Sequence, residues 1–311
     1  MTKHPWGWGR AGRPCWAHVA FIAFAVPACA GRTLALPSDS LTTSSPKSSD
    51  GEGGAVAPNE TAPDAARAKN PSIFPRNSGV VPTKSCVSTA DAQGLMPLRI
   101  GTATHSFRAP LEYNSKAPTP MPLLVVLHGC GDTANNAAKW MGNLWESKPE
   151  DIRYAVLGVG GRDGACWGDD TAIVRAAVDA LAECIFVDRR RIVLGGYSSG
   201  GELALRTMYA HGGDYAGLLL EHSGLSQAYP NQDLAQVTKT APWAFPVTWV
   251  AGTNDSVFPI AQAREERDLM KAAGQPLKFI ETPDDHEGRS IPNWSSALLP
   301  TMVGWITPLP E

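Results

Sequence analysis

Arg191-Ile192-Val193-Leu194-Gly195-Gly196-Tyr197-Ser198-Ser199-Gly200-Gly201-Glu202-Leu203-Ala204-Leu205-Arg206 is the stretch that decides the fold. Arg191 to Leu194 reads as a strand, with β-branched Ile192 and Val193 at its centre. Glu202 to Ala210 reads as a helix, since every residue but Thr207 and Tyr209 is a good helix former. Between them, Gly196 to Gly200 spells Gly-x-Ser-x-Gly. A strand, a sharp turn and a helix in that order force the serine into a strained backbone conformation that small flanking residues make tolerable. Its hydroxyl then stands at a helix N-terminus, where N–H groups and the macrodipole favour a developing negative charge. A glycine-rich packing loop shares the letters but not this setting. Ser198 is the candidate nucleophile.

Outward from the elbow, strands and helices alternate. An early strand is expected within Thr104 to Tyr113, limited to a sheet edge by Pro110. Pro122 to Leu127 is continuously apolar, as a parallel strand covered on both faces should be. A helix is expected over Asn135 to Trp145 and a buried strand over Tyr154 to Val159. Asp169 or Asp170 then caps a helix in which Ile173, Val174, Ala177, Val178, Leu181 and Ala182 recur with helical period. Val187-Asp188-Arg189 leads into the elbow strand. Beyond the elbow, strands are expected at Gly217 to Glu221, Pro246 to Ala251 and Leu277 to Glu281. Helices are expected at Ala261 to Ala273 and at Asn293 to Trp305, the latter interrupted by Pro300. Such alternation predicts an α/β fold with a mostly parallel central sheet flanked by helices.

The ends and the composition bound the setting. Lys3, Arg10 and Arg13 precede an apolar run, Ala17 to Ala28, that is short for a bilayer span and broken by Pro27. That pattern suits a secretory leader over 1–30. Cleavage after Ala30 fits Ala28-Cys29-Ala30, while Val26-Pro27-Ala28-Cys29 loosely resembles a lipoprotein box in which Cys29 would be lipidated and tethered to a membrane. Residues 31–85 are rich in Ser, Thr, Pro, Gly and Ala, the composition of a disordered tether. Residues 86–311 form the expected catalytic domain. Net charge is only −3 and charged residues are 18% of the chain, which gives no case for nucleic-acid binding. Cys86, Cys130, Cys166 and Cys184 make an even set in an exported domain, so two disulfides are expected, with three connectivities open. No Cys-x-x-Cys or His-x-x-x-His spacing suggests a metal.

The order Ser, acid, His, each beyond the end of a strand, is the hydrolase order. Ser198, Asp255 and His286 satisfy it. A serine needs a neutral imidazole to take its proton, and the imidazole needs a carboxylate to hold its tautomer. Glu221 is the rival acid, and His222 the rival histidine, expected to pack or to line the cleft. Asp284 and Asp285 are expected to shape the loop before His286. One oxyanion donor is assigned to the backbone N–H of Cys130, in the loop after the Pro122 to Leu127 strand. The other is assigned to that of Ser199.

From about Pro122 to Arg289 the chain resembles the secreted polyhydroxybutyrate depolymerase and feruloyl esterase family of α/β hydrolases. The resemblance rests on Leu127-His128-Gly129-Cys130, Cys166-Trp167, Val187-Asp188, Gly196-Tyr197-Ser198-Ser199-Gly200-Gly201, Gly252 with Asp255 and Pro259, and His286. It implies an α/β-hydrolase fold, the triad Ser198, Asp255 and His286, and oxyanion donors at Cys130 and Ser199. It also associates Cys130 with Cys166, leaving Cys86 with Cys184. Trp167 and His128 become candidate substrate contacts. The implied activity is an exported serine esterase needing no cofactor. Its substrates would be feruloyl or acetyl esters of plant polysaccharides, or hydroxyalkanoate polyesters. A serine peptidase of the same fold and a non-catalytic polysaccharide-binding surface lipoprotein are the rival readings.

Overall fold

The computed structural model describes residues 79–307, apart from 85, 87, 88, 146, 149, 150, 243 and 289. The expected leader, Cys29 and most of the expected tether lie outside these residues. The end of the stretch read as tether is docked, however: the Lys84 N–H donates to the Glu183 carbonyl at 3.1 Å, and the two side chains form an ion pair.

Eight strands form one sheet in the order β1-β2-β4-β3-β5-β6-β7-β8. They are β1 (Met96–Ile100), β2 (Ala103–Arg108), β3 (Met121–Leu127), β4 (Ala155–Gly158), β5 (Val187–Tyr197), β6 (Gly217–Glu221), β7 (Val247–Gly252) and β8 (Leu277–Thr282). Pairing is parallel from β4 through β8, while β2 lies antiparallel to both β4 and β1. The edge position expected for the first strand is therefore overturned. Met96 to Ile100 pairs residue for residue with Phe107 to Ala103 and covers that edge.

Helices α1 (Ala134–Met141), α2 (Thr171–Ala182), α3 (Ser199–His211), α4 (Leu225–Ala228), α5 (Leu234–Thr240), α6 (Ile260–Ala272), α7 (Ser290–Asn293) and α8 (Leu299–Ile306) complete the domain. Alternation along β3 divides the core between the sheet's two faces. Leu123, Val125 and Leu127 join Val174, Leu181, Leu203, Met208 and Met270, drawn from α2, α3 and α6. Leu124 and Val126 join Ala137, Met141, Trp294 and Met302, on the face covered by α1 and α8. β3 is buried along its whole length, as its unbroken apolar run requires.

Three local expectations change. α1 stops at Met141, where the Gly142 N–H closes on the Ala138 carbonyl and the Asn143 N–H on that of Trp140. Asp170 stands at the start of α2, yet its carboxylate takes Arg162 and the Gly168 N–H instead of capping the helix. Pro300 does not interrupt the last helix. It sits in the first turn of α8, where its missing N–H costs nothing, just after a π-helical turn at Trp294–Leu298. No helix among the described residues is long and apolar enough to cross a membrane.

Candidate active site

Five strand ends meet on one side of the sheet. They deliver His128 to Cys130 after β3, Ser198 after β5, His222 after β6, Asp255 in the loop after β7 and His286 in the loop after β8. That is where a parallel α/β sheet gathers its functional loops. Ser198 has φ +54° and ψ −126°, the strained elbow its flanking sequence foretells. Its N–H donates to the Glu221 carbonyl at 3.2 Å, and its own carbonyl accepts from Gly201 and Glu202, starting α3.

A continuous hydrogen-bonded chain runs from Ser198. Its Oγ lies 3.0 Å from His286 Nε2, and His286 Nδ1 lies 3.0 Å from Asp255 Oδ2. The other carboxylate oxygen, Oδ1, accepts the N–H groups of Val257 and Phe258 at 2.8 and 2.9 Å. Burial by itself would raise the Asp255 carboxyl. The Phe258 N–H, His286 and His222 together outweigh it and hold the group below its ordinary value. His286 is clasped between the rings of Tyr197 and Phe258, whose centroids stand 5.5 and 5.4 Å away with interplanar angles of 25° and 28°. The Tyr197 hydroxyl also donates to the His286 carbonyl, pinning the loop at its backbone.

The rival assignments separate. Glu221 is wholly buried and turned elsewhere, accepting from Trp294 Nε1 at 2.7 Å and Asn293 Nδ2 at 2.9 Å. Asp284 accepts from the same Asn293 at 3.1 Å and its carbonyl accepts from the Asn254 N–H, so it shapes the loop as expected. His222 neither lines an open cleft nor simply packs: its Nδ1 lies 2.8 Å from Asp255 Oδ2, the oxygen His286 uses. Sequence reasoning missed this contact. One ring nitrogen of each histidine and an Asp255 carboxylate oxygen fall within 4.8 Å of one another, close enough for a divalent ion, but hydrogen bonds already account for the arrangement.

The loop carrying Cys130 lies directly over the nucleophile. A side chain at Gly129 would come within 2.7 Å of the Tyr197 ring and 3.3 Å of Ser198 Cβ, so only glycine allows this approach. The loop is sewn to the one after β4 by a Cys130–Cys166 disulfide with its Cα atoms 4.2 Å apart. The second disulfide is Cys86–Cys184. Around the first, Trp167 Nε1 donates to the His128 carbonyl at 2.8 Å, the Gly164 N–H donates to the Asp132 carbonyl at 2.8 Å, and the Ala134 N–H donates to Asp163 at 3.1 Å. Arg206 ties the seam to α3 through the Gly168 carbonyl at 2.7 Å. His128 and Trp167, expected as substrate contacts, are 0% and 6% exposed and packed ring to ring at 4.8 Å. Their place is inside the seam; Trp167 gives its N–H to the loop backbone and has little surface left for a ligand.

Sheet order, elbow and strand-end loops define the α/β-hydrolase fold. The model of the phospholipase/carboxylesterase family matches residues 170–290, a stretch that holds Ser198, Asp255 and His286. Among solved structures, S-formylglutathione hydrolase (FrmB) from Staphylococcus aureus superposes with a TM-score of 0.54 at 12% identity, covering 68% of this chain and 98% of its own. A ferulic acid esterase gives 0.54 at 14% identity over 68% and 97% of the two chains. Thermogutta terrifontis esterase 2, phosphorylated by paraoxon, gives 0.53 at 16% identity over 70% and 96%. No curated protein matches the chain.

Proposed function

We propose that the protein is an exported serine carboxylic-ester hydrolase acting through an acyl-enzyme on Ser198. The observation that carries this reading is the unbroken chain from Ser198 Oγ through His286 to Asp255 at the elbow. His286 Nε2 takes the hydroxyl proton as Ser198 attacks the ester carbonyl. Asp255 holds the Nδ1–H tautomer and stabilises the imidazolium that forms. The N–H groups of Cys130 and Ser199 receive the oxyanion. His286 then returns the proton to the leaving alcohol, and water repeats the sequence on the acyl-enzyme. The substrates we assign are hydroxycinnamoyl or acetyl esters of polysaccharides or hydroxyalkanoate polyesters, on the motif resemblance, with which the likeness to a ferulic acid esterase agrees. Export is supported by the two disulfides, which persist in oxidising compartments.

The test is a panel of model esters and peptide amides on the purified protein. Ester turnover exceeding amide turnover supports the reading; peptide cleavage without ester cleavage would replace it with a peptidase. Run against pH, kcat/KM should rise as the imidazole base loses its proton. Asp255 imposes no second rise in that range: its carboxyl is held below the ordinary value, so the carboxylate form persists until strongly acidic pH. The same sign makes its contribution to stability present above the ordinary carboxylate range and lost only as pH falls through the depressed value. A kcat/KM profile without an acid limb would remove His286 as base.

Replacing Cys130 and Cys166 together by Ser should lower kcat about 10-fold with little change in KM. That is less than the ~100- to 1,000-fold loss of an oxyanion donor, because the hydrogen bonds of the seam remain. Steady-state kinetics at matched thermal stability check this; an unchanged kcat would mean that those bonds hold the loop alone.

A further inference from the structure

His222 is held at a local cost that its contact with Asp255 explains. Its φ is +46°, a left-handed conformation that non-glycine residues rarely take. It is 1% exposed, and its Nε2 is buried with no hydrogen-bond partner among the described residues. Gly252, at the end of β7, makes room for it, since a Cβ there would fall 2.6 Å from His222 Cε1. A histidine that only filled space would need none of these. All three conditions serve one interaction, the 2.8 Å contact of Nδ1 with Asp255 Oδ2.

A carboxylate can only accept, so both histidines must offer Nδ1–H to it. Asp255 therefore receives four donors: His222 and His286 on Oδ2, Val257 and Phe258 on Oδ1. Every donor it accepts disperses charge that would otherwise draw on the His286 imidazolium. We infer that His222 is a positioning residue of the triad, fixing the plane of the Asp255 carboxylate and setting how strongly it stabilises protonated His286. The inference rests on the reading of Ser198, His286 and Asp255 as the catalytic triad. The ionisable groups around His222 are Asp255 and its partner His286, whose ring stands 6.0 Å away, and Tyr197 from β5 at 6.3 Å. Glu221 precedes it in the chain but points to Asn293 and Trp294, and Asp284 reaches the same Asn293. None of these lies between His222 and the carboxylate.

The test uses three variants of the full chain. His222→Asn keeps a donor near the Nδ1 position and tolerates a positive φ. His222→Leu and His222→Gln place no donor there. Without the donor, Asp255 concentrates its charge on His286, so the acid limb of kcat/KM should move to higher pH, while kcat falls about 10- to 100-fold, the scale of a lost hydrogen bond to a charged group. His222→Asn should restore the wild-type midpoint and most of the rate. A midpoint that stays put or moves down in Leu and Gln, or Asn behaving like Leu, overturns the inference. If Leu does not fold, the Asn and Gln pair decides alone. Ser198→Ala run alongside separates the two levels: activity surviving that change would refute the triad reading itself, whereas its loss together with an unmoved acid limb refutes only the role of His222.

Discussion

Ser198→Ala should leave a folded protein with no measurable ester turnover above background. The expected fall in kcat is on the order of 10⁶-fold, as is usual when the nucleophile of a triad acting as one unit is removed. The fold should survive because alanine keeps the Cβ and removes only the hydroxyl that faces His286. Thermal unfolding should therefore match wild type. It could even rise slightly, since the substitution removes a polar group that function, not packing, requires. Residual activity within about 100-fold of wild type would mean that another group attacks the substrate.

Asp255→Asn should cost on the order of 10⁴-fold in kcat. The reason is a tautomer. The carboxylate accepts from both histidines on Oδ2 and from the Val257 and Phe258 N–H groups on Oδ1, whereas an amide has a single oxygen, and when that oxygen keeps the two backbone donors its NH₂ faces the histidines. Facing an N–H₂, His286 would carry its proton on Nε2 and could no longer receive the one from Ser198. Glu221→Gln provides the contrast. It disturbs the bonds to Trp294 and Asn293 beneath the site, so it should lower thermal stability while leaving kcat within a few fold. An active Asp255→Asn beside a dead Glu221→Gln would reverse the assignment of the acid.

The elbow was legible because its chemistry is local. A strand, a tight turn and a helix within the span from Arg191 to Arg206 leave one conformation for Ser198, and the structure shows it at φ +54°. The largely apolar β3, β6 and β7, buried along their whole length, were legible for a related reason, since only strands covered on both faces need no alternation. β1 was not. Met96 to Ile100 buries only Leu98, contains Pro97, and becomes a strand by pairing with β2. Trp294 was also obscure: its burial and its bond to Glu221 depend on α7 folding back beneath β6, a tertiary event without a local signature.

His222 marks the limit most clearly. Glu221-His222-Ser223 contains nothing that separates a packing histidine from one that orients a carboxylate. What makes the difference is that β6 pairs with β5 on one side and β7 on the other, so the residue beyond its end sits between Ser198 and Asp255. Strand order was the missing signal. Had the parallel order been imposed on the chain, His222 would have emerged as the third strand-end residue in line. His128 and Trp167, which the family resemblance offers as substrate contacts, are buried beside the Cys130–Cys166 disulfide, a position that depends on how two loops meet and has no local signature.

The central claim is that Ser198 is an activated nucleophile that becomes acylated. Treating the intact protein with a fluorophosphonate and mapping the adduct by peptide mass spectrometry tests it most directly. A single adduct per chain is expected on the peptide containing Ser198, absent from Ser198→Ala and strongly slowed in His286→Ala. An active preparation that takes up no label, or takes it up on another residue, would contradict it.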